Sequence, residues 1–350
     1  MRIVTRPKGH MVDSPRSGAG LDLCIGLPQI ENPPRCITIK RVARARSFGI
    51  AFFAPIAGLH HVTAISGPAQ ENLDYYTHML KTRLIKQTVN FDAPEMYHLY
   101  YGAQDAAPGS VLTFFNRESR EQGRAGAGAA QAFAYAAKPD TLDQWHTALG
   151  GQITTRFGAQ VLALTDPHGQ AFEIVADPEA GAWGEFHSVT LWVAEPEATA
   201  KILTEVFGYS YVGKERDAEG TRTRYALDGD APGRILDLWQ SDAQIKTRPG
   251  PGTIHHVAFR ARDNAHQQEL REILLARGET VTEVKDRQYF NAIYFREPGG
   301  VLFEIATDGP GFDADEPMSS LGESLKLPPQ HEPRRAELEA LLPPLERVKA

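Results

Sequence analysis

A chain of 350 residues can build two ordinary domains or one large core, and 42% hydrophobic with 23% charged residues marks a globular protein rather than a disordered one. The formal charge of −7 offers no basic field of the kind that captures nucleic-acid phosphates, which points away from nucleic acid as a partner. The two cysteines, Cys24 and Cys36, both lie near the start, so neither a disulfide framework nor a thiolate metal site can underlie the body of the protein, and a reducing cytoplasm fits.

Residues 1–56 are rich in Pro, Gly and Arg without a sustained period and are expected to form a poorly ordered extension. Its basic-then-apolar run, KRVARARSFGIAFFAPIAG, has an apolar part too short to span a bilayer and leads straight into a strand pattern. Neither export nor a membrane span is expected.

From Gly58 onward one order of elements recurs about every 50 to 70 residues. Each unit opens with a strand (GLHHVTAI, QAFAYAAK, EFHSVTLW, TIHHVAFR), in which aromatic and β-branched residues abound. A helix follows (ENLDYYTHML, TLDQWHTALGG, PEATAKILTEVFG, NAHQQELREILLARG), with apolar residues returning at three- and four-residue steps. The unit closes with a Gly and a strand: GSVLTFF, GQAFEIVAD, GRILDLWQ, GVLFEIATD. TDPHGQAFEIVAD and REPGGVLFEIATD also share the turn that leads into that strand. The glycines of GRAGAGAA, between the first two units, suggest a flexible connection, and a tail after residue 310 carries one helix framed by prolines, LGESLKLPPQHEPRRAELEALLPPL.

Two positions in this repeat can carry metal chemistry. The second residue of the opening pair is His61, Ala132 or Phe133, Ser188 and His256 in the four units, and the fourth residue after the closing Gly is Thr113, Glu173, Asp237 and Glu304. Pairing units one and two brings together one His and one carboxylate. Pairing three and four brings one His and two carboxylates, and would let His187 join His256 and Glu304. Pairing one with four gathers His61, His256 and Glu304, with Thr113 as the non-ligand. Two imidazoles and one carboxylate, with other positions open, suit a non-haem Fe(II) that must also take substrate and dioxygen.

GLHHVTAISG, IHHVAFR, FREPGGVLFEIATD and the LGESLKLPP tail together resemble the glyoxalase, bleomycin resistance and extradiol dioxygenase superfamily, and within it the ring-cleaving dioxygenases of hydroquinones. The resemblance covers about residue 57 to the end. It implies an α+β fold of four βαβββ modules forming two open barrel-like domains, 57–180 (modules one and two) and 181–310 (modules three and four), with modules one and four paired at the metal and residues 311–350 as tail. It implies Fe(II), with Mn(II) as a substitute, on His61, His256 and Glu304. The choice of the second His in each pair rests on that resemblance.

Neighbouring strand residues point to opposite faces, so His60 and His255 need another task, and the resemblance places them beside the substrate as proton-handling groups. It also carries over Arg287, to hold a phenolate or carboxylate, and Tyr294, to hydrogen-bond substrate or oxygen. The reading is thus a cytoplasmic ring-cleaving dioxygenase taking a small aromatic diol and dioxygen, free to form a homo-oligomer. The alternatives are a glyoxalase-type lyase or isomerase, which would want a second carboxylate where Thr113 stands, and a non-catalytic protein that sequesters aromatic compounds. His98, His146 and His168 have no repeat partner and receive no role.

Overall fold

A computed structural model describes residues 54–119, 121–229, 233–243 and 245–347. The expected extension therefore lies, except for its last three residues, outside the described residues. The first module comprises β1 (Leu59–Ser66), α1 (Ala69–Asp74) continued by a π turn (Tyr75–Met79), β2 (Arg83–Val89), β3 (Tyr97–Gly102) and β4 (Val111–Asn116). The second comprises β5 (Ala129–Ala137), α2 (Leu142–Leu149), β6 (Gln152–Arg156), β7 (Ala159–Thr165) and β8 (Ala171–Ala176). The third runs through β9 (Phe186–Trp192), α3 (Pro196–Glu205), β10 (Ser210–Arg216), β11 (Gly220–Ala226) and β12 (Ile235–Ser241). The fourth has β13 (Thr253–Ala261), α4 (Asn264–Ala276), the two-residue β14 (Lys285–Asp286), β15 (Phe290–Arg296) and β16 (Leu302–Pro310). The repeat is the α+β fold of four βαβββ modules expected from the sequence.

The modules join crosswise. One eight-stranded sheet has the order β14-β15-β16-β13-β1-β4-β3-β2 and so unites modules one and four, while the other, β10-β11-β12-β9-β5-β8-β7-β6, unites two and three. Stretches 57–180 and 181–310 each contribute one module to each sheet. Strand alternation then sorts the side chains. Val62, Val257, Phe303 and Ile305 enter a buried cluster shared by both sheets, where Phe207 packs 4.7 Å from Phe259 and Tyr75 lies 6.3 Å from Phe172. The alternate residues, His61, His256 and Glu304, face the other way.

In both sheets the two opening strands run antiparallel, and each carries an extra residue at the same place. His60 is bulged between the pairs Leu59↔Phe259 and His61↔Ala258, and His255 between Thr63↔His256 and Ala64↔Ile254. In the second sheet the extra residues are Gln131 and His187. A bulge re-aims the side chains around it without breaking the sheet.

The connection 123–130 is held rather than loose. Arg124 bridges Arg248 and Ala127 bridges Lys246, and a Cβ on Gly126 would come 2.6 Å from the Ile245 carbonyl oxygen. These glycines serve close backbone approach. The tail crosses module one: the fully buried Lys86 ammonium donates to Asp315 (2.5 Å) and Glu316 (2.7 Å), and α5 (Arg335–Leu341) buries Leu338. No helix among the described residues is long and apolar enough to cross a membrane.

Candidate metal centre

The register of the first sheet brings three sequence-distant side chains to one point. Thr63 pairs with His256 across β1 and β13, His61 pairs with Ala258, and Ala258 pairs in turn with Glu304 on β16. Nε2 of His61 lies 3.2 Å from Nε2 of His256 and 3.5 Å from Oε2 of Glu304, and His256 Nε2 lies 2.9 Å from the same oxygen. All three residues are buried, Glu304 completely. His187 stays in the second sheet, its Nδ1 2.9 Å from the hydroxyl of its neighbour Ser188.

Burial alone would push Glu304 towards its neutral form, but His61 and His256 outweigh it and hold the carboxyl well below the usual range. Yet neither of its oxygens receives an aligned hydrogen bond among the described residues. A buried carboxylate in that state needs a cation. The imidazoles are set up to supply the rest of the donor set. His60 Nδ1 lies 2.9 Å from His61 Nδ1, and His255 Nδ1 lies 2.8 Å from His256 Nδ1. Each ligand-position ring thus spends Nδ1 on the bulged His beside it and can present the Nε2 lone pair inward, the tautomer control that metal-ligating histidines require. Two Nε2 atoms and a carboxylate oxygen, all within 4.8 Å of one another, fit a divalent metal.

A cavity of about 420 Å³ opens over this cluster, walled by aromatic and aliphatic side chains including Phe115, Phe290 and Leu302. Three of the four residues expected beside a substrate, His255, Arg287 and Tyr294, line it. His60 instead lies behind His61, against Phe290, where burial and then His61 pull its pKa down to about 3, so it is a neutral ring. Arg287 Nε donates to the Tyr294 hydroxyl oxygen at 3.0 Å and its Nη2 reaches Asp92 at 3.3 Å. Burial and then Glu304 raise the Tyr294 pKa well above the ordinary value, so the phenol keeps its proton.

Two wall residues escaped the sequence reading. His98 and Tyr100 line the cavity, with Tyr100 Oη 3.0 Å from His98 Nδ1, His98 Nε2 2.8 Å from Thr113 Oγ1, and Thr113 Oγ1 2.7 Å from Thr63 Oγ1. Thr113 is therefore occupied by hydrogen bonds at the place where a further ligand could have stood. Tyr100 pairs with Thr113 as Tyr294 pairs with Glu304, so the tyrosines in YHLYYG and NAIYFR are repeat partners, a signal present in the sequence.

Fold and site together define a protein of paired βαβββ modules with a metal-competent His-His-Glu cluster under an aromatic cavity. Residues 185–305 match the Glyoxalase/Bleomycin resistance protein/Dioxygenase superfamily. The chain is 41% identical over 307 residues to the Bacillus subtilis protein named "Putative ring-cleaving dioxygenase MhqO", an alignment covering 83% of this chain and 96% of that one. It is 32% identical over 312 residues to the chlorohydroquinone/hydroquinone 1,2-dioxygenase of Sphingobium indicum, covering 81% and 95%. A crystal structure of a "putative dioxygenase" from Bacillus subtilis superposes with a TM-score of 0.79 at 39% identity, covering 85% of this chain and 99% of that chain. The chain belongs to the glyoxalase/bleomycin resistance/dioxygenase superfamily, in the branch of these ring-cleaving dioxygenase relatives.

Proposed function

We propose that this protein is a ring-cleaving dioxygenase that opens hydroquinones or related aromatic diols with dioxygen, using Fe(II) held by His61, His256 and Glu304, with Mn(II) as a possible substitute. The observation that carries this reading is the convergence of those three side chains at the base of a cavity walled by aromatic rings. Bound Fe(II) would supply Lewis acidity and an electron path between the diol and dioxygen.

The chain's own groups divide the remaining work. The apolar walls hold the ring and exclude water, which strengthens every charge inside. Tyr294 accepts from Arg287 through its oxygen, so its own proton is left to donate to a substrate oxygen, while the guanidinium beside it draws the phenolate or nascent carboxylate. His255 is the more exposed of the bulged histidines; with Nδ1 accepting from His256 Nδ1–H, its other nitrogen carries the ring hydrogen and can donate to a substrate oxygen. His60 acts through His61 by fixing its ring. The hydrogen-bonded Thr113 favours this reading over a lyase that needs a second carboxylate ligand. Stretches 57–180 and 181–310 are read as two glyoxalase-like halves, and a cytoplasmic setting fits the cysteine usage.

The test is anaerobic reconstitution of the purified protein with Fe(II), then oxygen-electrode assays on a panel of hydroquinones and catechols. Oxygen uptake with ring-opened product is expected. A protein that binds Fe(II) stoichiometrically yet consumes no oxygen with any diol would sink the proposal.

A further inference from the structure

The second sheet has a cavity of its own, about 520 Å³, and the strand register makes it the counterpart of the first. His98 pairs with Phe115 on one wall of the first cavity, and Arg222 pairs with Trp239 at the same register in the second. Thr63 pairs with Thr113, and Thr190 with Asp237. Across the cavity, Ala258 pairs with Glu304 as Ala134 does with Glu173, so Ala132 falls where His256 is and Ser188 where His61 is. No metal can be held there, because both imidazoles are gone and each carboxylate already has a guanidinium. Arg156 pairs with Glu173, and Arg224 grips Asp237 through two bonds of 2.9 Å.

Arg222 is surplus to that neutralisation. It is only 6% exposed, donates Nη1 to Thr190 Oγ1 at 2.7 Å, and stands 3.6 Å from an Asp237 that Arg224 already satisfies. Among the described residues Thr190 is the one hydrogen-bond acceptor of Arg222, and two further wall residues hold unpaired polar atoms, Trp239 Nε1 and Gln131 Oε1. A largely buried guanidinium that lines a cavity with donors left over is a ready partner for a carboxylate. Asp217 and Glu219 also line the cavity but are exposed and screened by solvent, so the buried guanidinium dominates. The remaining wall offers apolar surface at Leu149, Leu164 and Phe172.

We propose that this cavity is a second ligand site, independent of the metal, which takes a small organic carboxylate: the acid group on Arg222, beside the Trp239 ring, and the apolar body against Phe172 and the two leucines. A guanidinium fork matches a carboxylate bidentately, and the cavity is within the size range of small-molecule sites.

The test titrates the full chain, with and without Fe(II), with sodium benzoate, following heat and tryptophan fluorescence. One benzoate per chain is expected, with a fluorescence change that Trp239→Phe removes and an affinity that neither Fe(II) nor His256→Ala alters. Arg222→Gln is expected to weaken binding by at least about tenfold, the scale of one charge-assisted hydrogen bond. Should circular dichroism show that Arg222→Gln does not fold, Gln131→Glu sets a like charge in the same cavity and is expected to weaken binding comparably. Absence of heat and fluorescence change at millimolar benzoate overturns the proposal. So does unchanged affinity in the folded Arg222→Gln or the Gln131→Glu protein, and so does binding that vanishes in His256→Ala, which would place the acid in the first cavity.

Discussion

The two sheets are built alike and solve one electrostatic problem in two ways. Each turns side chains from the closing strands inward at the same register: Thr113 and Glu304 in the first, Glu173 and Asp237 in the second. In the second sheet two arginines, Arg156 on Glu173 and Arg224 on Asp237, bring the compensating charge on covalent stems. In the first the single carboxylate faces two imidazoles, a donor set that can gather its positive charge around a divalent ion. A buried carboxylate cannot stay ionised without one or the other. The scaffold is thus indifferent to chemistry, and the residue facing each inward carboxylate decides whether a half of the molecule becomes a metal-competent cluster or a fixed ion-pair lattice.

The largest effect should come from breaking the first sheet's solution. Glu304→Gln, His61→Ala or His256→Ala should each strip the metal and lower oxygen consumption by more than about a hundredfold, beyond the range that loss of an outer partner costs. Elemental analysis after Fe(II) reconstitution reads the first and an oxygen electrode the second; full metal content in Glu304→Gln would break the contrast between the sheets. Next, Arg224→Ala should leave Asp237, 3% exposed, facing only Arg222 at 3.6 Å, and lower the unfolding free energy by on the order of 3 kcal/mol while metal content stays constant. Urea unfolding monitors the one and elemental analysis the other; loss of metal in this variant would mean that the halves are not electrostatically separate.

The smallest effect concerns pH. Burial, and then Arg224, pull the His187 pKa from 6.5 to about 4, so the folded state keeps this ring neutral where the unfolded chain takes up a proton. Its contribution to stability is therefore complete above about pH 6.5 and is lost as pH falls from there towards 4. In metal-free protein the urea midpoint should drop over that window, and His187→Gln should flatten the slope. An identical slope in the variant would remove His187 from the account.

Much of this was legible in the sequence because the repeat writes itself at both ends of each module. The two HHV strings and the FEI strings sit at equivalent places, and ligand chemistry then selected the pairing of modules one and four. The bulges were not legible. Strict alternation sends His60 and His61 to opposite faces, and only the extra residue in the ladder lets their Nδ1 atoms meet. His98 stayed hidden for a related reason. Its counterparts at the same repeat position in modules three and four are Arg222 and Ala292, so comparing like with like among modules gave no histidine to match, although the residue walls the cavity. The connection GRAGAGAA misled because glycine signals freedom and close approach with the same letter.

The neighbourhood of β1 and β13 has a consequence for the order of events in the cell. His61 must wait for a partner 195 residues downstream, while the second sheet is complete in an uninterrupted stretch of chain. A ribosome making this protein therefore releases the arginine-neutralised half first, with β1 to β4 carrying an unpaired edge until β13 arrives. Closure of the His61, His256 and Glu304 cluster becomes the last act of assembly, and a product truncated before β13 lacks two of its three donors.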